Sequence, residues 1–193
     1  MKKSYLLCTL FGLLLCSSWA QAQTDAKALD KAAISIENSA IQYDGRYFSI
    51  GYPMGDVPED KGVCTDVVIR AYRKLGIDLQ RLVHEDMQRS FEQYPKLWGL
   101  KRPDANIDHR RVPNLMTFFS RFGKVKKRST KAADYLPGDI VCWRLSNGLT
   151  HIGLVVSKKS RDQKRYMVIH NIGGGQVIED VLFDYTIIGH YSY

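Results

Sequence analysis

Cys64 stands in Gly62-Val63-Cys64-Thr65-Asp66, directly ahead of the run Val67 to Leu75, whose apolar residues recur at helical spacing. Far downstream, His151 precedes Ile152-Gly153-Leu154-Val155-Val156 and His170 closes Met167-Val168-Ile169, both of β character. A thiol becomes a nucleophile when a base takes its proton, and that base needs an orienting group. Cys64, His151 and His170 supply all three, in that chain order, on a helix and two strands. At a helix start the positive end of the dipole favours the thiolate, and unpaired N–H groups there can hold an oxyanion. His151 would take the thiol proton and return it to a leaving amine, with His170 as orienter. Gly153 lacks a side chain, which lets another backbone or a ligand approach this strand. The chemistry indicated is that of a cysteine hydrolase.

The elements that must position these residues follow from spacing and punctuation. Residues 25–41 carry Leu29, Ala32, Ala33 and Ile36 at intervals of three and four, an amphipathic helix. Residues 42–62 hold Gly45, Gly51, Pro53, Gly55 and Pro58 and read as a turn-rich loop. A helix over 63–76 stops at Gly76, and a second runs from about Leu79 to Phe91. After an irregular stretch over 95–113, Leu115 to Phe122 make a further helix that ends at Gly123. The texture then changes to short strands at 140–145, 151–157, 166–170, 177–178 and 187–193, with Asn147-Gly148 and Gly173-Gly174-Gly175 as turns. Helices first and an antiparallel meander after is an α+β order.

The first residues look like an export signal. Lys2 and Lys3 precede the apolar core Tyr5 to Cys16, which is too short to span a bilayer, and Ala20-Gln21-Ala22 is a small-x-small cleavage site. Residues 1–22 are therefore read as a signal peptide and the protein as periplasmic. No other stretch has the ~18 consecutive apolar residues of a membrane span, so an integral membrane protein is not expected. The chain is basic, with a formal charge of +8, which favours anionic envelope surfaces. No nucleic-acid motif is present, and Lys124-Val125-Lys126-Lys127-Arg128 reads as a solvated loop. Processing removes Cys8 and Cys16 and leaves Cys64 and Cys142. In an oxidising compartment these two can also form a disulfide, and then no nucleophile exists. On sequence alone both readings stand, the second giving a non-catalytic binding or structural protein.

Other polar clusters carry less. His84-Glu85-Asp86 lacks the paired histidines of a helical zinc site, so neither a metal nor an organic cofactor is expected. Asp66, in the first turn of its helix, either complements the dipole or meets substrate amines. Within Asp108-His109-Arg110-Arg111, Arg110 or Arg111 is either a surface charge or a bidentate clamp for a substrate carboxylate.

Pro137-Gly138-Asp139-Ile140-Val141 followed by His151-Ile152-Gly153-Leu154 resembles the strand pair of NlpC-type cell-wall peptidases, which are papain-like cysteine hydrolases. Tyr52-Pro53-Met54-Gly55-Asp56 resembles their Tyr-x-x-Gly-Gly segment, at a similar distance before the cysteine. Val63 replaces the Asp before the nucleophile, Thr65-Asp66 replaces Ser-Gly, and Asp56 replaces the second Gly. With Ile107-Asp108-His109-Arg110-Arg111-Val112-Pro113 and His170-Asn171-Ile172-Gly173, the chain is similar to the YijF-like family of exported bacterial proteins of unknown function. The resemblance implies a papain-like domain over 43–193, with N-terminal helices packed on a C-terminal antiparallel sheet, preceded by a helical extension over 23–42. It further implies Cys64 as nucleophile, His151 as base, His170 as orienter, Tyr52 beside the nucleophile, and peptidoglycan or another amide-containing envelope polymer as substrate. Acyl transfer or lipid-amide cleavage on the same residues would need no other fold.

Overall fold

The computed structural model describes residues 24–193; the expected signal at 1–22 lies outside the described residues. Helix α1, Ala26–Ser35, starts where the Asp25 carboxylate accepts the N–H of Lys27. It buries Leu29, Ala32 and Ala33, and Asp30 accepts the backbone N–H of Ser157 at 2.7 Å. The stretch read as an extension is thus packed into the body of the protein. Helix α2, Cys64–Arg73, buries eight of its ten residues, and Gly76 beyond it takes a φ of +75° that suits glycine. Asp78 caps α3, Leu79–Ser90, by accepting the N–H of Arg81. Helix α4, Val112–Phe122, opens with Pro113, whose missing N–H costs nothing in a first turn.

The strands are β1 Gln42–Tyr43, β2 Lys61–Gly62, β3 Lys124–Val125, β4 Ile140–Arg144, β5 Thr150–Lys159, β6 Tyr166–His170, β7 Val177–Glu179 and β8 Thr186–Ser192. Strands β1 and β2 pair parallel in the segment read as loop. The other six form one sheet in the order β3-β8-β4-β5-β6-β7. The expected meander holds from β4 to β7, but the last strand crosses back to lie between β3 and β4. There β8 covers β4, which would otherwise be left as an apolar edge.

Both faces of the sheet are covered. Ile140, Cys142, Ile152, Leu154 and Ile169 meet Val67, Val68, Tyr72, Leu115 and Phe119 of the helices in the main core. Val141, Trp143, Val155 and Val168 point the other way, under Tyr135 and Leu182, where the indole of Trp143 donates to the carbonyl of Leu182 at 3.0 Å. Burial on both faces explains the continuous apolar runs of β4 and β5. The result is the α+β layout implied by the resemblance to papain-like NlpC-type domains, N-terminal helices on a C-terminal antiparallel sheet. Among the described residues no helix is long and apolar enough to cross a membrane.

At Gly153, β6 leaves no room for a side chain on β5. A Cβ there would lie 2.7 Å from Val168 Cγ1, 2.8 Å from the Ile169 carbonyl and 3.2 Å from His170 Cβ. Gly153→Ala should therefore push β6 away and displace His170, costing about 1–3 kcal/mol as overpacking does. Urea unfolding of the variant against the parent protein measures this, and an unchanged midpoint would contradict the close approach.

Candidate active site

Strand β5 begins at Thr150, but its pairing with β6 begins only at Leu154. The start of β5 is therefore open on the β6 side, and the first residue of α2 fills the opening. The backbone N–H of Ile152 is directed at the Cys64 thiol, one residue from His151. Helix and sheet thus bring together the two elements that the sequence separates by more than eighty positions.

Behind His151 runs a chain of polar contacts. Its Nε2 lies 2.9 Å from His170 Nδ1, with the two rings nearly perpendicular at 82°. His170 Nε2 in turn lies 2.9 Å from Glu179 Oε2, the carboxylate standing off the line of the ring N–H. A carboxylate only accepts, so the proton of His170 belongs on Nε2 and its Nδ1 accepts from His151 Nε2–H. That tautomer leaves a lone pair on His151 Nδ1, the nitrogen available to a thiol. The Trp143 ring, 5.7 Å from the His151 ring, walls the other side.

Burial sets the protonation of the resting site. Cys64 is 6% exposed, His151 3% and His170 0%. Desolvation pushes the Cys64 thiol up to about 12, aided by the charge of Asp66 and opposed by the N–H groups of Ile152, Thr65 and Cys64 itself. His151 is held down to about 3 by burial and by His170. Burial also lowers His170, against the pull of Glu179. A helix start is worth ~0.3–1 kcal/mol to an anion, less than the desolvation of a buried thiolate. The expectation that the helix would favour the thiolate is thus overridden, and thiol and imidazole rest neutral.

The helix start is fastened by charge. Asp66 accepts the Val63 N–H at 2.7 Å and takes the Arg110 guanidinium on both oxygens at 2.9 and 3.0 Å. Thr65 Oγ1 donates to the Arg110 carbonyl at 3.2 Å, and the guanidinium lies over the Phe48 ring at 5.6 Å. Asp66 and Arg110 are therefore buried partners of one another, and neither presents a free group to a substrate. Arg111 rests over Trp98 at 4.1 Å and 3.6 Å from Asp108, so it too is held by the fold. Tyr52 packs edge-on against His84 of α3, ring centroids 5.2 Å apart, and its charged neighbours are Glu85, Arg81 and Asp78. The expectation that Tyr52 borders the cysteine gives way, because its turn is tied to α3 through Met54 N–H to Asp78 and Gly55 N–H to Gln80.

Two residues at the site were not read from the sequence. Tyr43 pairs in register with Gly62 through β1 and β2, and its phenol is raised by burial and by the charges of Cys64 and Asp66. A pairing of two-residue strands leaves no periodic signal. Glu179 closes a three-residue strand with no marker beyond its charge. Cys142 lies in the same core as Cys64, and both are free thiols, so no bridge ties them. Among the described residues no group of three or more His, Cys, Asp and Glu side chains is placed to hold a metal.

A family model described as a domain of unknown function, DUF1287, matches residues 30–193. The uncharacterized protein YijF of Escherichia coli (strain K12) is 54% identical over 173 residues, covering 90% of this chain and 83% of that protein. The structure of NlpC1 from Trichomonas vaginalis superposes on 89% of this chain with a TM-score of 0.46 and 16% identity. This chain spans 45% of that longer one.

Arg110→Ala should cost ~3–5 kcal/mol, because it leaves the Asp66 carboxylate buried and unpaired; urea unfolding reads it, and Arg110→Lys should recover only part. Acid should also unfold the protein early. His151 and His109 are each held to about 3, from an ordinary 6.5, mainly by burial. Below 6.5 the unfolded chain takes up protons that the native state refuses, so stability is lost as pH falls toward 3. The slope is about 1.4 kcal/mol per pH unit for each histidine. Asp108, pushed up to about 6 by burial, acts in the opposite sense, its contribution fading as pH rises from 3.8. Urea midpoints between pH 6.5 and 4 should fall, and His109→Gln should shallow that slope.

Proposed function

The chain belongs to the DUF1287 family, and for it we propose a periplasmic cysteine hydrolase that cleaves an amide bond in the stem peptides of peptidoglycan. The observations that carry this reading are the Ile152 N–H at the Cys64 thiol, one residue from His151, and the polar line from buried His151 through His170 to the half-exposed Glu179. The export-like N-terminus supports the compartment, and the motifs around Cys64 and His151 support the substrate class.

With thiol and imidazole both neutral at rest, attack and proton transfer are coupled. Sγ bonds to the scissile carbonyl carbon while its proton passes to His151 Nδ1. His170 and the charge of Glu179 stabilise the imidazolium that results. The N–H groups of Cys64, Thr65 and Ile152 are the donors available to the oxyanion, and Tyr43 adds a phenol at the rim. The C–N bond breaks as His151 gives its proton to the leaving amine. Water, deprotonated by the same imidazole, then attacks the thioester, releasing a carboxylate and restoring the thiol.

Limiting iodoacetamide followed by peptide mapping should label Cys64 ahead of Cys142, faster as pH rises. His151→Ala should abolish that preference, and Glu179→Gln should slow labelling several-fold, the size of a lost orienting contact. Purified sacculi in heavy-oxygen water should release peptides carrying the heavy oxygen in a new carboxylate; a mass gain on an acceptor amine instead would mean transfer. Tyr43→Phe should lower product release without slowing labelling. Equal labelling of both cysteines in the parent and His151→Ala proteins, with no peptide released, would remove the hydrolase reading.

A further inference from the structure

The basic run read as a solvated loop is built into the fold. Lys124 and Val125 form β3 against β8, and Lys126 reaches both oxygens of buried Asp139 at 2.6 and 2.7 Å. His190 bonds the same carboxylate at 2.8 Å and contacts the Lys127 carbonyl at 2.9 Å through its other nitrogen. Lys126 therefore turns inward and Lys127 turns out.

Tyr135 then ties two walls together. Its hydroxyl donates to the Ser129 carbonyl at 2.8 Å and accepts the Ser129 N–H at 3.0 Å. Its ring stacks on His190 at 4.3 Å and meets Phe183 edge-on at 5.7 Å. Between the walls lies a groove of about 830 Å³, with Lys127, Arg128 and Lys131 on one side and Phe183, Tyr185 and Thr186 on the other. No acid lines it. Asp134 takes the Ser129 hydroxyl, and Asp184 adds its charge to that around Arg165. Phe183 is 39% exposed although large and apolar.

We propose that this groove binds a carboxylate-bearing glycan strand, with Lys127, Arg128 and Lys131 on the carboxylates and Phe183 and Tyr185 under the sugar rings. Clustered cations without acids concentrate polyanions, and the aromatic faces suit the C–H face of a pyranose. Thr130 and Thr186 add hydroxyls to the lining, which a sugar can pair and a lipid tail cannot. The concave form suits a chain laid along it better than a bilayer surface. Register places the groove near the candidate cysteine site: Ile187 at its edge pairs with Trp143, and Trp143 pairs with His151. The glycan reading does not depend on catalysis at Cys64.

Binding of the full chain to polygalacturonate, measured by interferometry at low and physiological salt, tests it, with dextran as the neutral control. The Cys64→Ala variant should bind as the parent does, whatever becomes of the hydrolase reading. Lys127→Glu with Lys131→Glu should weaken binding about tenfold, with most of the salt dependence lost. Phe183→Ala should weaken it several-fold with the salt dependence kept, and Lys27→Glu with Lys31→Glu, on α1, should leave it unchanged. Circular dichroism and thermal midpoints establish that each variant is folded. Parent-like binding by the folded Lys127/Lys131 variant, or an equal loss in the α1 control, would overturn the proposal. So would groove-dependent binding to phosphatidylglycerol vesicles or single-stranded DNA with none to polygalacturonate.

Discussion

The buried pair between Asp66 and Arg110 is the constraint on which the candidate site depends. A bidentate salt bridge out of water repays its desolvation only when geometry is good and the remaining lone pairs are satisfied. Here Asp66 also accepts the Val63 N–H, and Thr65 returns a hydrogen bond to the Arg110 backbone. The first turn of α2 is therefore held from both ends of one ion pair, in a register that sets Cys64 against the open start of β5. A helix that slid by one residue would present Val63 or Thr65 there. The pair contributes position more than stability.

The same burial that fixes the site also quiets it. A thiol that rises to about 12 and an imidazole that falls to about 3 cannot share a proton at rest. On the hydrolase reading, the thiol gives up its proton only as its sulfur lone pair bonds to a substrate carbonyl. Glu179 supplies the opposing pull. Half exposed itself, it touches a fully buried His170, so on the hydrolase reading the charge that would stabilise an imidazolium stands at the protein surface.

Cys64, His151 and His170 were legible because each carries rare chemistry at a boundary that periodicity marks: a helix start, a strand start, a strand end. Asp66 was legible as a first-turn acid, but its partner was not. Arg110 looked like a free clamp because nothing along the chain says which of two adjacent arginines turns inward. Tyr52 was misplaced for a related reason: its motif fits, yet hydrogen bonds to Asp78 and Gln80 draw its turn to α3. Tyr43 escaped notice because two-residue strands have no period to detect.

Local pattern was enough to determine the α+β class, the four helices, the strands from β4 to β8 within a few residues, and the places of Cys64, His151 and His170 at element ends. Each of these rests on side-chain type and spacing within a dozen positions, where helix and strand periods, caps and glycine stops act. Tertiary structure alone decided that β8 returns beside β4, that α1 joins the core, that Asp66 and Arg110 consume one another, and that Glu179 completes the histidine line. It also set the protonation of the site. These are matters of which distant surfaces meet and how much water they exclude, and desolvation depends on everything packed around a group, which no local stretch of sequence contains.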